Sequence, residues 1–289
     1  MMLPQSAAPL QLVSPLRGWP PGLEVALLRS DLVHGLYGGN KYYKLYYNLL
    51  AAAEAGLPLL TFGGAFSNHI AAVAAAASEA GIAVTGIIRG DELDASSNEV
   101  LRFAAACGMR LEFVSRTEYR RRHDAAYHRE LEATFGSFYL VPEGGTNALA
   151  VRGFQHILPA AAAEYDHIFT ACGTGGTLAG LAAAAHPHQH VTGIAAVNDA
   201  ATINARVAEL LRPYPNAAAW QLNSNFTFGG YARTAPELDA FCREVSAFWN
   251  VPLEPVYTGK LMFAVDALVG RGELTGKVLI LHSGGYLLF

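Results

Sequence analysis

The sequence predicts an α/β protein with parallel-rich sheets flanked by helices. Two observations support this fold class. Short β-rich runs alternate with alanine-rich, helix-prone segments along most of the 289 residues, and such alternation favours parallel strands joined by right-handed crossovers. The β-rich runs are also continuously apolar, which is typical of strands that helices cover on both faces.

The first half of the chain predicts four strands separated by three helices. The strands are expected at 57–62, 83–89, 110–114 and 139–141, and the helices at 68–80, 99–107 and 118–135. The helix at 68–80 is the clearest, because alanine favours the helical conformation and its small side chain lets a helix backbone pack closely against a sheet.

The alternation resumes after Gly153. A helix is expected up to residue 164, and the later elements are a strand at 167–171, a helix from Leu178, a strand at 191–197 and a last strand at 278–282. No repeat of fixed period and no low-complexity linker interrupts the chain, so composition alone marks no domain boundary.

The composition is that of a compact globular protein. Hydrophobic residues make up 52% and charged residues 15% of the chain, and its length suffices for one large core or for two lobes that share an interface. The formal net charge is −4, without a long block of one sign, which argues against nucleic-acid binding. We interpret the basic stretch 116–122 as a solvated helix face, with an acidic partner as the alternative.

Cysteine usage and terminal composition predict a cytoplasmic protein. Cys107, Cys172 and Cys242 form no CxxC pair and are odd in number, which is typical of a reducing compartment. Residues 1–16 lack the basic start of a signal peptide, and no apolar run reaches the ~20 residues of a membrane span. The histidines show no metal-ligand spacing, so we expect neither membrane contact nor a metal site.

The run 38–44 predicts a lysine-based site. Gly38 and Gly39 allow a tight turn, and Lys41 and Lys44 follow at the start of a helix-prone stretch, where their spacing places both ammonium groups on one face. One lysine can form a Schiff base with an aldehyde while the other neutralises a phosphate, and pyridoxal phosphate (PLP) carries both groups. The alternative is a turn followed by a lysine-bearing surface helix.

A second loop, 63–69, follows a predicted strand and opens a predicted helix, which is where ligands bind in α/β sheets. In one interpretation, Ser67 and Asn68 only cap the helix. In the other, the Ser67 hydroxyl and free backbone N–H groups hold a substrate carboxylate, and Asn68 donates to a phenolic oxygen of a cofactor.

A third loop, 173–177, again joins a predicted strand to a predicted helix. Its glycines expose backbone N–H groups and the helix dipole adds positive potential, so the loop predicts a phosphate cradle. The alternative is a dinucleotide site in which Asp199 binds the ribose, but the spacing G-x-G-G differs from the fingerprint G-x-G-x-x-G.

A fourth motif, 255–260, places Tyr257 beside a glycine-bordered turn. This tyrosine is a candidate general acid or base if its surroundings shift its pKa, and a core tyrosine is the alternative. His282 ends the last predicted strand, directly before Ser283-Gly284-Gly285, and we interpret it as a packed, hydrogen-bonded residue.

These motifs, in this order, resemble the 1-aminocyclopropane-1-carboxylate (ACC) deaminase/D-cysteine desulfhydrase family of tryptophan synthase β-like (fold type II) PLP enzymes. The resemblance also includes 28–32, 142–147 and 230–231. It implies a two-lobed fold with PLP in the interdomain cleft and a homodimeric assembly. The large domain would be 1–44 plus 153–289, and the small domain 45–152.

The resemblance also implies roles for individual residues. Lys41 resembles the Schiff-base lysine, Lys44 a phosphate contact, and Ser67 the serine near the substrate carboxylate. The implied catalytic residues are Lys41, Ser67, Tyr231 and Tyr257. The implied cofactor-binding residues are Lys41, Lys44, Asn68, Gly173, Thr174, Gly175, Gly176, Thr177, Thr258 and Ser283. The implied substrate-binding residues are Ser67, Asn68, His69, Tyr231 and Tyr257.

Two positions favour one branch of the family. Thr258 and Ser283 stand where ACC deaminases tend to carry glutamate and leucine, and desulfhydrase-like members carry small hydroxyl residues there. A carboxylate near the pyridine nitrogen strengthens the electron sink that ring opening needs, whereas a thiolate leaves more easily. The resemblance therefore favours β-elimination from a small amino acid, D-cysteine, giving pyruvate, ammonia and sulfide.

Three alternatives stay open. One is ACC deamination to 2-oxobutanoate and ammonia on the same scaffold. Another is a different small amino acid as the substrate, such as D-serine or a β-substituted alanine. The third belongs to another class, a PLP- or amino-acid-binding protein without turnover.

Overall fold

The computed structural model describes residues 7–285, and these form two β-sheets with helices packed around them. The strands are β1 (Leu10–Leu12), β2 (Glu24–Arg29), β3 (Leu59–Gly64), β4 (Val84–Arg89), β5 (Arg110–Val114), β6 (Tyr139–Val141), β7 (His167–Cys172), β8 (His190–Ala195), β9 (Ala219–Asn223) and β10 (Lys277–His282). The helices are α1 (Asn40–Ala55), α2 (Asn68–Ala80), α3 (Glu99–Ala106), α4 (Arg116–Tyr119), α5 (Ala125–Phe135), α6 (Ala148–Gly153), α7 (Gly176–Ala184), α8 (Ala200–Leu211), α9 (Pro236–Trp249) and α10 (Thr258–Gly270).

The larger sheet has the strand order β1-β2-β10-β7-β8-β9, and the smaller sheet has the order β5-β4-β3-β6. Neighbouring strands are parallel except for β1 and β2, which run antiparallel. Apolar clusters cover both faces of the larger sheet. In β7, for example, Ile168 packs into one cluster and its neighbour Phe169 into the other. The continuous apolar runs therefore mark strands buried on both faces, as predicted.

Two predicted helices are broken in the structure. The segment predicted as a helix at 118–135 contains α4 and α5, because Ser115 caps the first of these and Asp124 accepts from the Ala126 N–H to start the second. The segment predicted as a helix up to residue 164 contains α6 followed by two short 3-10 turns, Phe154–His156 and Ala160–Glu164. Pro159 precedes the second turn, and proline supplies no N–H to continue a helix.

Several elements were not predicted from the sequence. Strands β1 and β9 lie at the edges of the larger sheet and lack a long apolar run. Helices α8 and α9 place charged residues between apolar ones instead of using alanine throughout. None of the helices between residues 7 and 285 has the length and apolar character that crossing a bilayer requires.

The topology brings three strand ends together. The carboxyl ends of β3, β7 and β10 open into loops that face a cleft between the two sheets. The described chain passes from the larger sheet to the smaller one through α1 and returns through α6. These two helices pack closely at Gly153, where a Cβ atom would lie 1.9 Å from the carbonyl oxygen of Tyr43.

Candidate active site

The cleft between the sheets has a volume of about 530 Å³, which is within the range of pockets that bind a small ligand or cofactor. Most of the site residues predicted from the sequence line it. These are Lys41, Lys44, Ser67, Asn68, His69, Gly173, Thr174, Gly175, Thr177, Tyr231, Tyr257 and Ser283. Gly176 and Thr258 do not line it.

Lys41 is the second residue of α1 and is held in place by the loop after β10. Gly39 adopts a left-handed conformation (φ 91°), and a Cβ there would lie 2.1 Å from the Ser283 carbonyl oxygen, so the turn requires glycine. The N–H of Asn40 donates to that same oxygen at 3.2 Å. The Lys41 ammonium donates to Asn40 Oδ1 at 3.0 Å, and burial lowers the pKa of Lys41 to about 8.

Lys44 lies one helical turn further along α1 and is almost completely buried. Its ammonium donates to the Gly144 carbonyl at 3.2 Å and the Thr146 hydroxyl at 3.4 Å. Burial and the charge of Lys41 lower the pKa of Lys44 well below its usual value. The ion pairs found within residues 7–285 include neither lysine. Two neighbouring amines in the cleft, one buried and one half-buried, without a carboxylate partner indicate a place for an anion.

The loop between β7 and α7 faces these lysines. Gly175 has a left-handed φ of 90°, and a Cβ on Gly176 would lie 2.6 Å from the Thr146 hydroxyl, so the loop packs tightly. The first turn of α7 has no side-chain cap, which leaves its N–H groups available to an anion. The Thr174 and Thr146 hydroxyls are 2.6 Å apart. This loop and Lys44 together form a cradle of donors.

Ser67, Asn68 and His69 form the start of α2. The Ser67 hydroxyl caps the helix by accepting from the His69 N–H at 3.3 Å, whereas Asn68 is the first helical residue. This cap uses a lone pair of the hydroxyl and leaves its proton to donate. Asn68 lies beside Gly285, where a Cβ would come within 2.6 Å of Asn68 Nδ2. The left-handed Gly285 (φ 112°) therefore makes room for the asparagine amide.

His69 is buried and has a defined tautomer. Its Nε2 lies 2.8 Å from the Thr61 hydroxyl, which itself donates to the Val141 carbonyl at 2.8 Å. The hydroxyl proton is thus already used, so Nε2 carries a proton and Nδ1 is a bare acceptor. Nδ1 has no hydrogen-bond partner in the described structure. Burial and the charges of Lys41 and Lys44 lower the pKa of His69 well below its usual value, which keeps the ring neutral.

Two tyrosines close the opposite side of the cleft. The rings of Tyr231 and Tyr257 are 6.2 Å apart, and burial raises the pKa of Tyr231 and raises that of Tyr257 well above its ordinary value. Both phenols are therefore protonated at neutral pH and act as hydrogen-bond donors or acids rather than as bases.

Residues 15–284 match the family model described as pyridoxal-phosphate dependent enzyme. The chain belongs to this family. A Pyrococcus horikoshii protein provisionally named a 1-aminocyclopropane-1-carboxylate deaminase is 27% identical over 277 residues, which are 91% of this chain and 85% of the relative. The D-cysteine desulfhydrase of Klebsiella pneumoniae is 26% identical over 288 residues, 91% and 87% of the two chains.

The crystal structure of an ACC deaminase homologue superposes with a TM-score of 0.82 at 24% identity, covering 99% of this chain and 92% of the other. At this identity the likeness establishes the fold. It confirms the predicted α/β fold type II architecture of a PLP-dependent enzyme.

The donor set of the cleft fits PLP. The two cleft lysines without a carboxylate partner and the tightly packed glycine loop provide the charge and the N–H groups that a phosphate requires. Lys44 and residues 173–177 would hold the phosphate. Lys41 supplies an amine whose pKa of about 8 leaves part of it neutral and reactive near physiological pH.

Thr258 is a predicted cofactor contact whose side chain is engaged outside the cleft. Its hydroxyl is fully buried, accepts from the Glu254 N–H at 2.9 Å, and lies 3.2 Å from both the Glu254 carbonyl and Oε1. The physical reason is helix capping. The Glu254 carboxylate accepts from the N–H groups of Val256, Tyr257 and Thr258 at 2.7 to 2.9 Å, and Thr258 completes that arrangement.

Sequence reasoning missed Glu254. It is 5% exposed, and burial raises its pKa to about 6 although three N–H groups favour the charged form. A Cβ on Gly285 would lie 3.9 Å from Glu254 Cγ and 2.6 Å from Asn68 Nδ2, so the carboxylate lies behind the loop that borders Asn68. Glu254 lies four residues before the first residue of α10, outside the usual capping positions, so no local pattern marked it.

Sequence reasoning also missed the basic mouth of the cleft. Arg89, Arg122 and Arg206 line it from both sides. Arg122 Nε donates to Glu143 Oε2 at 2.8 Å, and Arg206 Nη1 lies 3.5 Å from the Thr174 carbonyl. These arginines are far apart in sequence, so no local pattern marks them as neighbours.

Proposed function

We propose that this chain catalyses β-elimination from D-cysteine or a close β-substituted analogue, in which D-cysteine and water give pyruvate, ammonia and hydrogen sulfide. The observation that carries the proposal is the position of Lys41, which lines the cleft beside an anion cradle. The likeness to the Klebsiella D-cysteine desulfhydrase supports the substrate class. Bound PLP supplies an electron sink for negative charge at the substrate α-carbon.

The residues divide the remaining work. Lys44 and residues 173–177 bind the phosphate and so fix the orientation of the site. The Ser67 hydroxyl and the N-terminus of α2 receive the substrate carboxylate. Lys41, with its pKa lowered to about 8, accepts the α-proton and passes it on to the departing sulfur, because a base near the operating pH does so efficiently.

His69 and the tyrosines act on the leaving side of the substrate. The bare Nδ1 of His69 offers a buried acceptor to a donor group of the substrate, such as its thiol. Tyr257 and Tyr231 remain protonated and donate a proton or hydrogen bond. Together these residues enclose a small amino acid, and the mouth arginines limit access by water.

ACC ring opening to 2-oxobutanoate and ammonia is the second candidate. The Pyrococcus relative with that provisional name supports it, as does Glu254. The buried Glu254 carboxylate lies close to the site. It supplies negative charge in this region although position 258 carries threonine rather than glutamate. Glu254 lies four residues before the position at which ACC deaminases tend to carry glutamate.

A substrate panel tests both candidates. Purified protein with PLP is given D-cysteine, L-cysteine, D-serine and ACC, and sulfide and 2-oxo acids are measured. Sulfide and pyruvate from D-cysteine support the first proposal, and 2-oxobutanoate from ACC supports the second. A lysine-bound PLP absorbance without product from any of the four would favour a binding protein. Turnover by a Lys41→Ala variant would remove Lys41 from its role, and Lys277→Ala is the surface control.

We also propose the arrangement and setting implied by the family resemblance. Residues 45–152 would form the small domain, since they contain β3 to β6, and the rest would form the large one. The protein would act as a homodimer in the cytoplasm. Light scattering of the purified protein tests the dimer, and a mass of one chain at all concentrations would contradict it.

A further inference from the structure

Lys260 is a buried cation whose role the family resemblance leaves unexplained. It is the third residue of α10 and is 1% exposed. Its ammonium donates to the carbonyl oxygens of Thr227 and Gly230, each at 2.7 Å, and to that of Ala196 at 3.3 Å. An ammonium has three N–H bonds, so its donors are matched one to one by backbone carbonyls.

Two of these carbonyls belong to the segment 227–232, which has an unusual backbone. Phe228 and Ala232 have φ values of 50° and 54°, in the left-handed region. That conformation costs an L-residue ~1–2 kcal/mol, so the segment needs contacts that hold it. Besides Lys260, Asn198 Nδ2 donates to the Gly229 carbonyl at 3.0 Å, and the Phe228 ring packs against Phe263 with the ring centroids 5.1 Å apart.

The segment carries Tyr231 into the cleft. Tyr257 lies at the start of α10, three residues before Lys260, and its ring is 6.2 Å from that of Tyr231. The same helical turn therefore carries Tyr257 and, through Lys260, holds the backbone directly before Tyr231. Loss of the ammonium would remove the charged donor on which three carbonyl oxygens converge, and these oxygens would repel one another. The Thr227 and Gly230 carbonyls would keep the N–H groups of Gly230 and Arg233, at 3.0 and 3.2 Å.

We propose that Lys260 is a positioning residue, an internal cation that closes a ring of three carbonyls and holds Tyr231 against Tyr257. The proposal rests on the proposed function only for the part that Tyr231 takes in turnover. Rings of backbone carbonyl oxygens also coordinate potassium and similar monovalent cations. Shortening the side chain should therefore turn this position into a site for a small external cation.

Two variants separate the charge of Lys260 from its volume. Lys260→Met keeps most of the volume without the charge, and Lys260→Ala leaves a space that ammonium, methylammonium or potassium can enter. Both are compared with the wild type and with Lys277→Met, which removes an exposed lysine from the start of β10. Hydrogen–deuterium exchange of segment 227–232 is followed in chloride salts of each cation at an ionic strength of about 0.1 M, with choline chloride as the control cation that is too large.

We expect faster exchange in segment 227–232 for both Lys260 variants, and a return towards wild-type exchange only for Lys260→Ala with a small cation. PLP loading should be retained. With an active substrate, kcat should fall about 100-fold, the scale of an ångström-sized misplacement, with a smaller change in KM. The small cation should restore at least part of kcat in Lys260→Ala and none in Lys260→Met.

Several results would overturn the proposal. Unchanged exchange in segment 227–232 would show that the ammonium does not hold it. Equal recovery with choline would show an effect of ionic strength. If neither variant folds in any salt, Lys260 serves the whole fold rather than this segment. Because exchange needs no turnover, an inactive wild type would refute the proposed function while leaving this test intact.

Discussion

Selective acylation of Lys41 tests the electrostatics of the cleft before any cofactor chemistry takes place. Burial lowers the pKa of Lys41 to about 8. By contrast, the carboxylates of Glu164 and Glu24 raise the pKa of the surface residue Lys277 above its ordinary value. Acetic anhydride reacts only with the neutral amine, so these two lysines should label with different pH profiles in the cofactor-free protein.

The size of the difference follows from the two pKa values. At pH 7, an amine with a pKa of about 8 is about 9% neutral, whereas one with the ordinary value of 10.5 is about 0.03% neutral, a ratio of about 300. We expect labelling of Lys41 to rise tenfold per pH unit up to about pH 8 and then to level off. Labelling of Lys277 should keep rising through pH 10. Peptide mass spectrometry with trace reagent measures both in one sample.

A Lys41 profile that keeps rising with that of Lys277 to pH 10 would refute the idea that burial keeps this amine reactive. The same shift affects stability. The folded protein releases the Lys41 proton near pH 8 and the unfolded chain releases it near 10.5, so the free energy of unfolding should rise between these values, by up to about 3 kcal/mol. A Lys41→Met variant should lack that rise.

Three further predictions concern packing, the anion cradle and pH. Gly153→Ala should destabilise the protein by about 3 kcal/mol or more in thermal unfolding, because the added Cβ would clash with the Tyr43 carbonyl. The control Gly270→Ala, whose added Cβ meets nothing within 4 Å, should be neutral or slightly stabilising. Lys44→Gln should weaken PLP binding about 30-fold in equilibrium dialysis, because one charged hydrogen bond is lost. Binding of phosphate-free pyridoxal should be unchanged, and an equal loss for both ligands would contradict the phosphate role. Because the pKa of Glu254 is raised to about 6, the folded protein binds this proton more tightly than the unfolded chain does. The free energy of unfolding should therefore fall by about 2 kcal/mol from pH 4 to 7. Urea unfolding of Glu254→Gln across this range should not show that fall.

The parts of the fold that were predictable depend on local pattern. Strands such as β4 and β7 read as continuous apolar runs because both of their faces are buried. The break between α4 and α5 was not predictable from helix-forming tendency, since the residues on both sides favour helix and the hydrogen bond of Asp124 to the backbone decides where the second helix begins.

The site shows the same division. The motifs located Lys41, Lys44 and the glycine loop, because a turn, a helix start and a strand end are local features. The tautomer of His69 depends on the distant Val141 carbonyl through Thr61, and the partners of Lys260 are carbonyls from two other segments. The engagement of Thr258 by Glu254 likewise became visible only when the hydrogen bonds of the helix start were known.

The tight seat of Gly153 against Tyr43 has a mechanical consequence. Within residues 7–285 the polypeptide passes between the two sheets only through α1 and α6, and these helices are fastened where backbone touches backbone. We therefore expect any widening of the cleft to be a rotation of the smaller sheet about this junction. Lys41 precedes Tyr43 by two residues on α1, so we expect it to move little. Ser67 and Asn68 follow β3 and should move with the smaller sheet.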